Sequence, residues 1–272
     1  MEGRISMLNA VIAAVKEVAK HEIIPRYLKV QRHCKSDGSL YTEADIAVQE
    51  TLLQKLLKIY PGKIVSEEMS AEQQKDQWDS GDEGLWCIDP IDGTTNFVNG
   101  LPYFAVSVAL INRCRSVLGV VYDPIADEMF YAEKGKGAFL NDVKLPIKEY
   151  IPTVLDDAIA SVDLKRLNKK LAAIISTSPP CSSQRNFGAC ALEWCFTAAE
   201  RFDLYLHGGQ NLWDYAAGCL ILEESGGRMC GFDLDDFWEG PLWQRPIIAA
   251  LDPNLFLQWR DWIRIYRLRI YR

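Results

Sequence analysis

The residues of this sequence that are best suited to chemistry lie together in residues 86–97, which read WCIDPIDGTTNF. Two aspartates, Asp89 and Asp92, stand three positions apart with a proline between them. Because proline disfavours helical geometry in the residue before it, we expect a strand to end at Asp89 and the chain to turn there. Such a turn can direct both carboxylates to one side, where they could share a divalent cation such as Mg²⁺.

The residues that follow the second aspartate suit the binding of an anion. Gly93 permits a positive φ and lets the backbone approach a ligand closely. Thr94 or Thr95 is suited to the N-cap of a helix, where free backbone N–H groups and the positive end of the helix dipole favour a phosphate. A metal-bridged phosphate could therefore bind here, although an ordinary aspartate-rich turn that caps a helix has the same local pattern.

Acidic residues recur at two further places where an element begins or ends. Residues 63–68, KIVSEE, are typical of a strand that ends in Glu67 and Glu68. Residues 212–227, LWDYAAGCLILEESGG, are typical of an apolar helix with Asp214 in its first turn. Acids near helix starts and strand ends are common, because the helix dipole favours them and strand ends meet solvent. Neither segment indicates a site by itself.

Together, these segments resemble the metal-dependent inositol monophosphatase family, which belongs to the lithium-sensitive phosphatase superfamily. The resemblance spans nearly the whole chain, in the family's order and approximate spacing, and rests on the segments KSDGSLYTEAD, VSEE, DPIDGTTNF, WDYAAG and EESGG. It implies a layered α+β or α/β fold, the five-layer α-β-α-β-α sandwich of the inositol monophosphatase and fructose bisphosphatase type. It also implies a homodimer, with the site between the two lobes of each chain.

The resemblance implies a site for two or three Mg²⁺ ions. It assigns Glu67, Asp89 and the carbonyl of Ile91 to the first ion. Asp89 then bridges to a second ion, which Asp92 and Asp214 complete. Four carboxylates and two divalent cations sum to zero charge, so exposed faces of the ions would attract the phosphate dianion. Without cations, the crowded carboxylates would repel one another and raise some of their own pKa values.

The resemblance also implies which residues act on water and phosphate. Asp45 and Thr94 match the pair that orients a metal-bound water and helps to deprotonate it, and Glu67 joins them among the catalytic residues. The backbone N–H groups of Gly93, Thr94 and Thr95 are expected to hold phosphate oxygens. Asp45 could instead be a solvated acid in the first turn of its helix.

Three further residues are candidates for contact with the substrate: Lys35, Arg185 and His207. Lys35 matches a lysine that the family often carries near the metal ions, but it could equally be an ordinary exposed lysine. Arg185 could meet a second phosphate or form a structural ion pair. His207 stands seven residues before Asp214, where inositol phosphatases usually present a glutamate to the substrate's hydroxyls. It could bind a hydroxyl or simply end a strand.

The composition excludes few protein classes but narrows the kind of metal site. The chain has 272 residues, 49% of them hydrophobic, and a net charge of −7, so we expect a sizeable core and no DNA as a partner. Only three histidines occur, so any metal must be held by oxygen. Apolar runs are shorter than the roughly 20 residues of a membrane span, and no secretory signal is visible. We therefore expect a cytoplasmic protein whose eight cysteines are reduced, with disulfide regulation as the alternative.

Hydrophobic periodicity predicts the elements that must position these residues. Helices are expected at residues 6–27, 43–60 with Thr42 as the cap, 164–173, 190–200 and 212–225. The runs between residue 61 and about residue 134 predict a sheet made largely of hairpins. Beyond residue 150, strands at residues 158–163, 202–208, 227–232 and 246–250 alternate with helices. We expect one catalytic unit, residues 1–272, with lobes at residues 1–150 and 151–272, the second of which carries Asp214.

The resemblance thus predicts a Mg²⁺-dependent phosphomonoesterase that hydrolyses a small phosphorylated polyol or sugar, in particular inositol 1-phosphate, with a metal-activated water. The substrate could also be fructose 1,6-bisphosphate, a nucleotide 3′-phosphate, NADP or histidinol phosphate. Inhibition by lithium is implied as well. The rival is a regulatory or RNA-associated protein that retains the fold. Its contact with RNA or a membrane would be the basic, aromatic residues 260–272, for which a last helix or strand with a solvated basic face is the simpler interpretation.

Overall fold

The computed structural model describes residues 6–30, 33–34, 40–81, 83–148 and 152–268. These residues form eight α-helices, namely α1 (Met7–Val18), α2 (Glu43–Ile59), α3 (Ala71–Asp79), α4 (Thr94–Asn99), α5 (Lys169–Thr177), α6 (Cys190–Ala198), α7 (Leu212–Glu224) and α8 (Pro253–Leu268). A π-helical segment, Ala19–Ile23, continues α1, and short 3-10 helices lie at Leu155–Asp157, Leu164–Arg166 and Phe237–Glu239.

The first half of the chain forms a two-stranded ribbon and a seven-stranded sheet. The ribbon pairs β1 (His33–Cys34) with β2 (Leu40–Tyr41). The sheet follows chain order: β3 (Lys63–Ser66), β4 (Leu85–Asp92), β5 (Ala105–Asn112), β6 (Arg115–Asp123), β7 (Glu128–Glu133), β8 (Ala138–Leu140) and β9 (Val143–Lys144). β3 and β4 are parallel, and each later neighbouring pair is antiparallel. The prediction of a sheet made largely of hairpins is therefore confirmed.

The second half of the chain forms a five-stranded sheet with the order β11-β10-β12-β14-β13. Its strands are β10 (Ile159–Val162), β11 (Ser183–Arg185), β12 (Leu204–Gln210), β13 (Arg228–Cys230) and β14 (Arg245–Ala250). β10 is parallel to β11 and β12, whereas β14 is antiparallel to β12 and β13. The predicted alternation of strands and helices is confirmed, although the short edge strand β11 was not predicted.

Three groups of buried side chains hold these elements in five layers. The first group joins α1 and α2 to one face of the larger sheet. The second, which includes Trp194, joins the other face of that sheet to α6 and α7 and to the inner face of the smaller sheet. The third, which includes Trp259, joins the outer face of the smaller sheet to α5 and α8. The layers therefore alternate as the expected α-β-α-β-α sandwich, and α6 and α7 form its central layer.

Two helix predictions were wrong in extent. Regular α-helix ends at Val18, and the chain continues to Ile23 as π-helix, so residues 6–27 are not one α-helix. The helix expected at residues 164–173 is a 3-10 turn followed by α5, which starts at Lys169. It starts there because the Asn168 side chain accepts the N–H of Leu171 at 2.9 Å and so supplies a helix N-cap.

Helix α3 was not predicted, because its sequence is too polar to show a hydrophobic period. Its start is nevertheless encoded locally. The Ser70 hydroxyl accepts the N–H of Gln73, and the Gln73 side chain accepts the N–H of Ser70, which together form a capping box. A serine followed three residues later by glutamine is the signal that could have revealed this helix.

The basic stretch near the end of the described chain forms the last turns of α8, as the simpler interpretation expected. Two of its arginines are paired with acids of the loop that follows β13. Arg264 Nη1 lies 2.7 Å from Asp235 Oδ1, and Arg267 Nη2 lies 2.8 Å from Asp233 Oδ2. Residues 269–272 lie outside the described residues. The positive charge of this helix is thus neutralised in part within the protein, which weakens the case for an RNA or membrane contact here.

Two predictions about the chemical setting of the chain can be compared with the structure. None of the described helices is both long enough and apolar enough to cross a bilayer. The described cysteines with a free thiol are Cys87, Cys114, Cys181, Cys190, Cys195, Cys219 and Cys230. These seven cysteines form no disulfide with one another, and their redox state stays a prediction.

Candidate active site

Both aspartates of the opening motif lie at the end of β4, and both are buried. Asp89 is 2% exposed and Asp92 is 6% exposed. The strand does not end at Asp89 as predicted, because it continues through Pro90 to Asp92. Its pairing with β5 shifts in between, so that Asp89 lies opposite Ser107 and Asp92 opposite Ala105. Since proline cannot donate a ladder hydrogen bond, an irregularity at this position is expected, and it redirects the side chains that flank it.

Asp92 connects the two halves of the chain. Its carboxylate accepts the N–H of Cys190 at 3.1 Å and the N–H of Ala191 at 2.7 Å, so it caps the start of α6. Burial and the nearby charge of Asp214 raise the pKa of Asp92 well above its usual range, although the two N–H groups act in the opposite direction. This capping role was not predicted, because the partners are 98 and 99 residues apart.

Asp89 has a carboxylate oxygen without a hydrogen-bond donor among the described residues. Its Oδ1 is buried and accepts no hydrogen bond from the described residues. Burial raises its pKa well above the usual range, and the charges of neighbouring acids raise it further; in order of effect these are Glu67, Asp92, Asp214 and Asp45. A buried carboxylate oxygen without a donor is unfavourable unless a cation compensates it.

The remaining two acids of the predicted metal site reach it from neighbouring elements. Glu67 directly follows β3, and its N–H donates to the Ile88 carbonyl at 3.3 Å, so it stays beside β4. Asp214 lies in the first turn of α7, as predicted, and its Oδ2 accepts the N–H of Asn211 at 2.9 Å. The charges of Glu67 and Asp214 both contribute to the raised pKa of Asp89, so both acids lie within electrostatic reach of that carboxylate.

The acids fit divalent cations by the chemistry of their donors. Among the residues that the structure describes, no three histidine, cysteine, aspartate or glutamate side chains form a ready-made metal-binding group. The charges of neighbouring acids still raise the pKa values of Asp89 and Asp92, and Asp89 Oδ1 has no donor among the described residues. Hard oxygen donors of this kind suit Mg²⁺.

Asp45 and Thr94, the predicted water-orienting residues, are both buried. Asp45 Oδ2 accepts the N–H of Thr42 at 2.6 Å and its hydroxyl at 2.7 Å, so Thr42 caps α2 as predicted. Asp45 Oδ1 is buried and accepts no hydrogen bond from the described residues, and burial raises the pKa of Asp45 to about 7. The Thr94 hydroxyl donates to the Ile91 carbonyl at 3.1 Å. Asp45 is therefore not the solvated acid of the alternative interpretation.

The expected N-cap at Thr94 or Thr95 is wrong by one residue, because Gly93 is the cap and Thr94 begins α4. Gly93 has φ +88°, which confirms the need for glycine. A Cβ at this position would lie 3.0 Å from the Cβ of Ala189 and 3.2 Å from the Tyr103 carbonyl. Gly93 therefore lets the turn pack against the segment that leads into α6. The first N–H groups of α4, including those of Thr94 and Thr95, have no partner within the helix.

The three candidate substrate residues have different environments. Lys35 lies outside the described residues. Arg185 is exposed on the edge strand β11, where it donates to the Ser183 hydroxyl at 2.7 Å and the Gln184 carbonyl at 2.9 Å. His207 is 3% exposed within β12, so it does not simply end a strand as the alternative proposed.

Two polar residues near the acids were not predicted. Asn96 Nδ2 donates to the carbonyls of Tyr103 and Phe187 at 2.8 and 2.6 Å, which joins α4 to the second half of the chain. Glu193 Oε1 accepts the N–H groups of Phe187 and Gly188 at 3.1 and 3.3 Å, and burial raises the pKa of Glu193 to about 7. Of these hydrogen bonds, the one from Asn96 to Phe187 spans 91 positions, a separation that no short-range pattern marks.

Comparison with known proteins agrees with the motifs. The sequence pattern of the inositol monophosphatase family matches residues 4–260. The Nus factor SuhB of Pasteurella multocida is 37% identical over 234 residues, which cover 84% of this chain and 85% of that protein. The inositol-1-monophosphatase of Caulobacter vibrioides is 35% identical over 209 residues, which cover 74% of this chain and 79% of that protein. The structure of a Thermotoga maritima IMPase matches with a TM-score of 0.80 at 28% identity, over 95% of this chain and 97% of that one. This chain therefore belongs to the inositol monophosphatase family.

Proposed function

We propose that this protein is a Mg²⁺-dependent phosphomonoesterase that acts on a small phosphorylated polyol, in particular inositol 1-phosphate. The observation that carries the proposal is the buried Asp89 carboxylate, whose Oδ1 has no donor among the described residues and whose neighbours are other acids. A charge buried in this way needs a cation, and carboxylate oxygens are the ligands that Mg²⁺ prefers. Membership of the inositol monophosphatase family supports the proposal.

In the proposed site, the acids bind two Mg²⁺ ions. The family resemblance implies two or three ions in total. Glu67, Asp89 and the Ile91 carbonyl would hold one ion, and Asp92 and Asp214 would join Asp89 at the other. When bound, the ions lower the pKa of a coordinated water and stabilise negative charge on the leaving oxygen.

Asp45 is suited to accept a proton at this site. A pKa of about 7 keeps it near the balance between its two forms at neutral pH, as an effective general base requires. Thr42 holds Oδ2, whereas Oδ1 accepts no hydrogen bond from the described residues and is the atom we assign to the proton from water. The Thr94 hydroxyl would orient that water, and the N–H groups of Gly93, Thr94 and Thr95 would hold phosphate oxygens.

The substrate class is supported by relatives rather than by a bound ligand. The Caulobacter vibrioides relative is named an inositol-1-monophosphatase, so a monophosphorylated cyclic polyol is the first substrate to test. Fructose 1,6-bisphosphate, a nucleotide 3′-phosphate, NADP and histidinol phosphate are the sister substrates. The exposed position of Arg185 gives no support to a bisphosphate preference. We also propose that the whole chain acts as one catalytic unit in a cytoplasmic, lithium-sensitive homodimer.

A second candidate function is regulatory, because another relative is named a Nus factor. The Nus factor SuhB of Pasteurella multocida is 37% identical to this chain. A pure binding protein has no use for four acids that repel one another, since the burial of two of them, Asp89 and Asp92, weakens the fold. The retained Glu67, Asp89, Asp92 and Asp214 therefore favour catalysis, either alone or beside a regulatory role.

Phosphate release from inositol 1-phosphate and the sister substrates, with and without Mg²⁺, tests the proposal. Wild-type protein should release phosphate only with Mg²⁺, and lithium should inhibit it. Asp89→Asn and Asp214→Asn should each lower kcat by at least roughly 100-fold, because the ions lose a charged ligand. Asparagine at position 214 keeps an oxygen that can accept the Asn211 N–H, so α7 should stay capped.

The matched control is Asp156→Asn, because Asp156 is exposed on the 3-10 helix Leu155–Asp157. This variant should keep wild-type activity. Circular dichroism should show that all three variants are folded. A folded wild-type protein that releases no phosphate from any substrate with Mg²⁺ would overturn the proposal and favour the regulatory role. Full activity in Asp89→Asn would remove that carboxylate from the mechanism.

A further inference from the structure

Beside the acid cluster lies a pair of polar side chains, the buried His207 and the partly exposed Asp163, that the proposed reaction does not use. His207 Nε2 lies 3.5 Å from Asp163 Oδ2 and 3.9 Å from Cys190 Sγ. The pair is placed by the sheet, since β10 and β12 are parallel with Val162 opposite Leu206, so that Asp163 and His207 follow side by side. The N–H of Asp163 donates to the Leu206 carbonyl at 3.2 Å, which continues this pairing by one residue.

The orientation of His207 is fixed by its other ring nitrogen. The N–H of Gly209 donates to His207 Nδ1 at 3.1 Å, so Nδ1 acts as an acceptor and the ring N–H is on Nε2. His207 therefore directs its ring N–H toward Asp163, and this N–H is not available to donate a hydrogen bond to a substrate hydroxyl. The group is no nucleophilic triad, because Cys190 and Asp163 both face Nε2 rather than opposite sides of the ring.

A close backbone approach keeps the pair in place. A Cβ at Gly208 would lie 1.9 Å from the Arg166 carbonyl oxygen, so only glycine allows β12 to pack against the 3-10 turn that follows Asp163. The Asp163 carboxylate begins that turn, because its Oδ1 accepts the N–H of Lys165 at 3.0 Å. Its position is thus set from both sides.

The pair is also close to the proposed metal site. Cys190 joins the two, since its N–H donates to the Asp92 carboxylate at 3.1 Å while its Sγ faces His207. In the proposed reaction, a polyol attached to a phosphate at the metal site would extend past Cys190 toward this pair. The far hydroxyls of such a substrate would therefore approach His207 and Asp163.

Asp163 has the properties of a hydroxyl acceptor. Its side chain is 20% exposed, so part of the carboxylate is accessible. Burial alone would raise its pKa, but the contact with His207 and the N–H groups of Lys165 and Arg166 outweigh burial and hold the pKa below its usual value. Asp163 therefore stays ionised at neutral pH. A carboxylate has about four lone-pair sites, so oxygens already held by His207 and Lys165 can still accept hydrogen bonds from hydroxyls.

We propose that Asp163 is a specificity-determining residue that accepts hydrogen bonds from the hydroxyls of the polyol, with His207 as the residue that positions it. The inference rests on the proposed phosphatase function. It also explains how this chain can recognise a polyol without a glutamate at position 207. The carboxylate that binds the hydroxyls is that of Asp163, directly after β10, instead of a glutamate in β12.

The test compares kcat/KM for inositol 1-phosphate with kcat/KM for 4-nitrophenyl phosphate, which has no polyol hydroxyls. Asp163→Asn should lower the ratio of the two by roughly 10- to 100-fold, mainly through a higher KM for inositol 1-phosphate, because a hydrogen bond to a charged acceptor is lost. Activity on 4-nitrophenyl phosphate should stay within about 2-fold of wild type, since the metal site is untouched. Asp156→Asn, seven residues earlier and exposed, should leave the ratio unchanged.

The positioning role of His207 needs a pair of variants. His207→Leu should lower the same ratio by roughly 3- to 10-fold, and His207→Gln, which restores an N–H donor, should recover at least part of the loss. An unchanged ratio in folded Asp163→Asn would overturn the inference while leaving the phosphatase proposal intact. Wild-type protein that hydrolyses neither substrate with Mg²⁺ would overturn the proposed function, and this inference with it. The two failures are therefore distinguishable.

Discussion

Replacement of Asp45 by asparagine should change how the stability of the protein depends on pH. Asp45 is 1% exposed, and burial raises its pKa from an ordinary value of 3.8 to about 7. The folded protein therefore keeps a proton on Asp45 up to about pH 7, whereas the unfolded chain releases it near pH 4. The stability that this proton contributes is fully present below pH 3.8 and is lost as the pH rises through about 7.

The size of the effect follows from the two pKa values. Each pH unit between them lowers the free energy of unfolding by about 1.4 kcal/mol. Integration from about pH 5.5 to about pH 8.5 gives a loss of about 2 kcal/mol for Asp45 alone. The asparagine that replaces Asp45 does not titrate and keeps an oxygen for the Thr42 N–H, so the stability of Asp45→Asn relative to wild type should rise by this amount over the same range.

Urea unfolding followed by tryptophan fluorescence measures this difference, because the chain has eight tryptophans. The measurement requires EDTA and should stay above the isoelectric point of about 5.1, where solubility is lowest. Subtracting the wild-type profile from the variant profile cancels the groups that the two proteins share. With saturating Mg²⁺ the pH dependence of the difference should shrink, since nearby cations favour the ionised carboxylate.

Parallel profiles for wild type and Asp45→Asn would refute the reasoning, because they would mean that Asp45 titrates alike in the folded and unfolded chains. Asp156→Asn serves as the control, since it makes the same chemical change at an exposed position away from the acids. If the Asp45→Asn difference instead fell with rising pH, Asp45 would have a lowered pKa in the folded protein. That outcome would also remove it as the proton acceptor proposed here.

Two further predictions concern cation binding and the close packing at Gly208. Free Mg²⁺ at about 100 times its Kd should raise stability by about 2.7 kcal/mol and the melting temperature by roughly 5–10 °C, measured by differential scanning fluorimetry, and Asp89→Asn should lose most of this rise. An equal rise in Asp89→Asn would contradict the assigned ligand. Gly208→Ala should lower the free energy of unfolding by about 1–3 kcal/mol and reduce the preference for inositol 1-phosphate, because its Cβ would lie 1.9 Å from the Arg166 oxygen. In Gly231→Ala the nearest atom is 3.6 Å away, so stability near wild type is expected, and equal losses would refute the packing argument.

Local signals in the sequence were sufficient for the elements that carry the acids. Thr42 caps α2, Asp214 lies in the first turn of α7 and Gly93 adopts a positive φ, all as predicted. Each of these features depends on residues within three positions of one another, so the sequence alone contains the necessary information. The predicted end of β4 at Asp89 was wrong, because pairing with β5 overrides the preference for a turn at Pro90.

Features that depend on distant partners were not predicted from local sequence. Asp92 caps α6 through Cys190, which is 98 positions away, and Asp163 pairs with His207, which is 44 positions away. No short sequence pattern encodes such separations. The family resemblance located the acids but could not show that His207 faces Asp163. That orientation follows from the Gly209 N–H and from the close approach at Gly208, which only the three-dimensional structure reveals.

The acids that weaken the fold also lie where its two halves meet. Asp92 from the first half accepts backbone N–H groups at the start of α6. The Ser116 hydroxyl, also from the first half, donates at 2.6 Å to the Ala216 carbonyl of α7, the helix that carries Asp214. Repulsion between Asp92 and Asp214 therefore acts directly across the contact between the larger sheet and the central helices. A cation shared by these carboxylates would turn that repulsion into attraction, so metal binding and the docking of the two halves should stabilise each other.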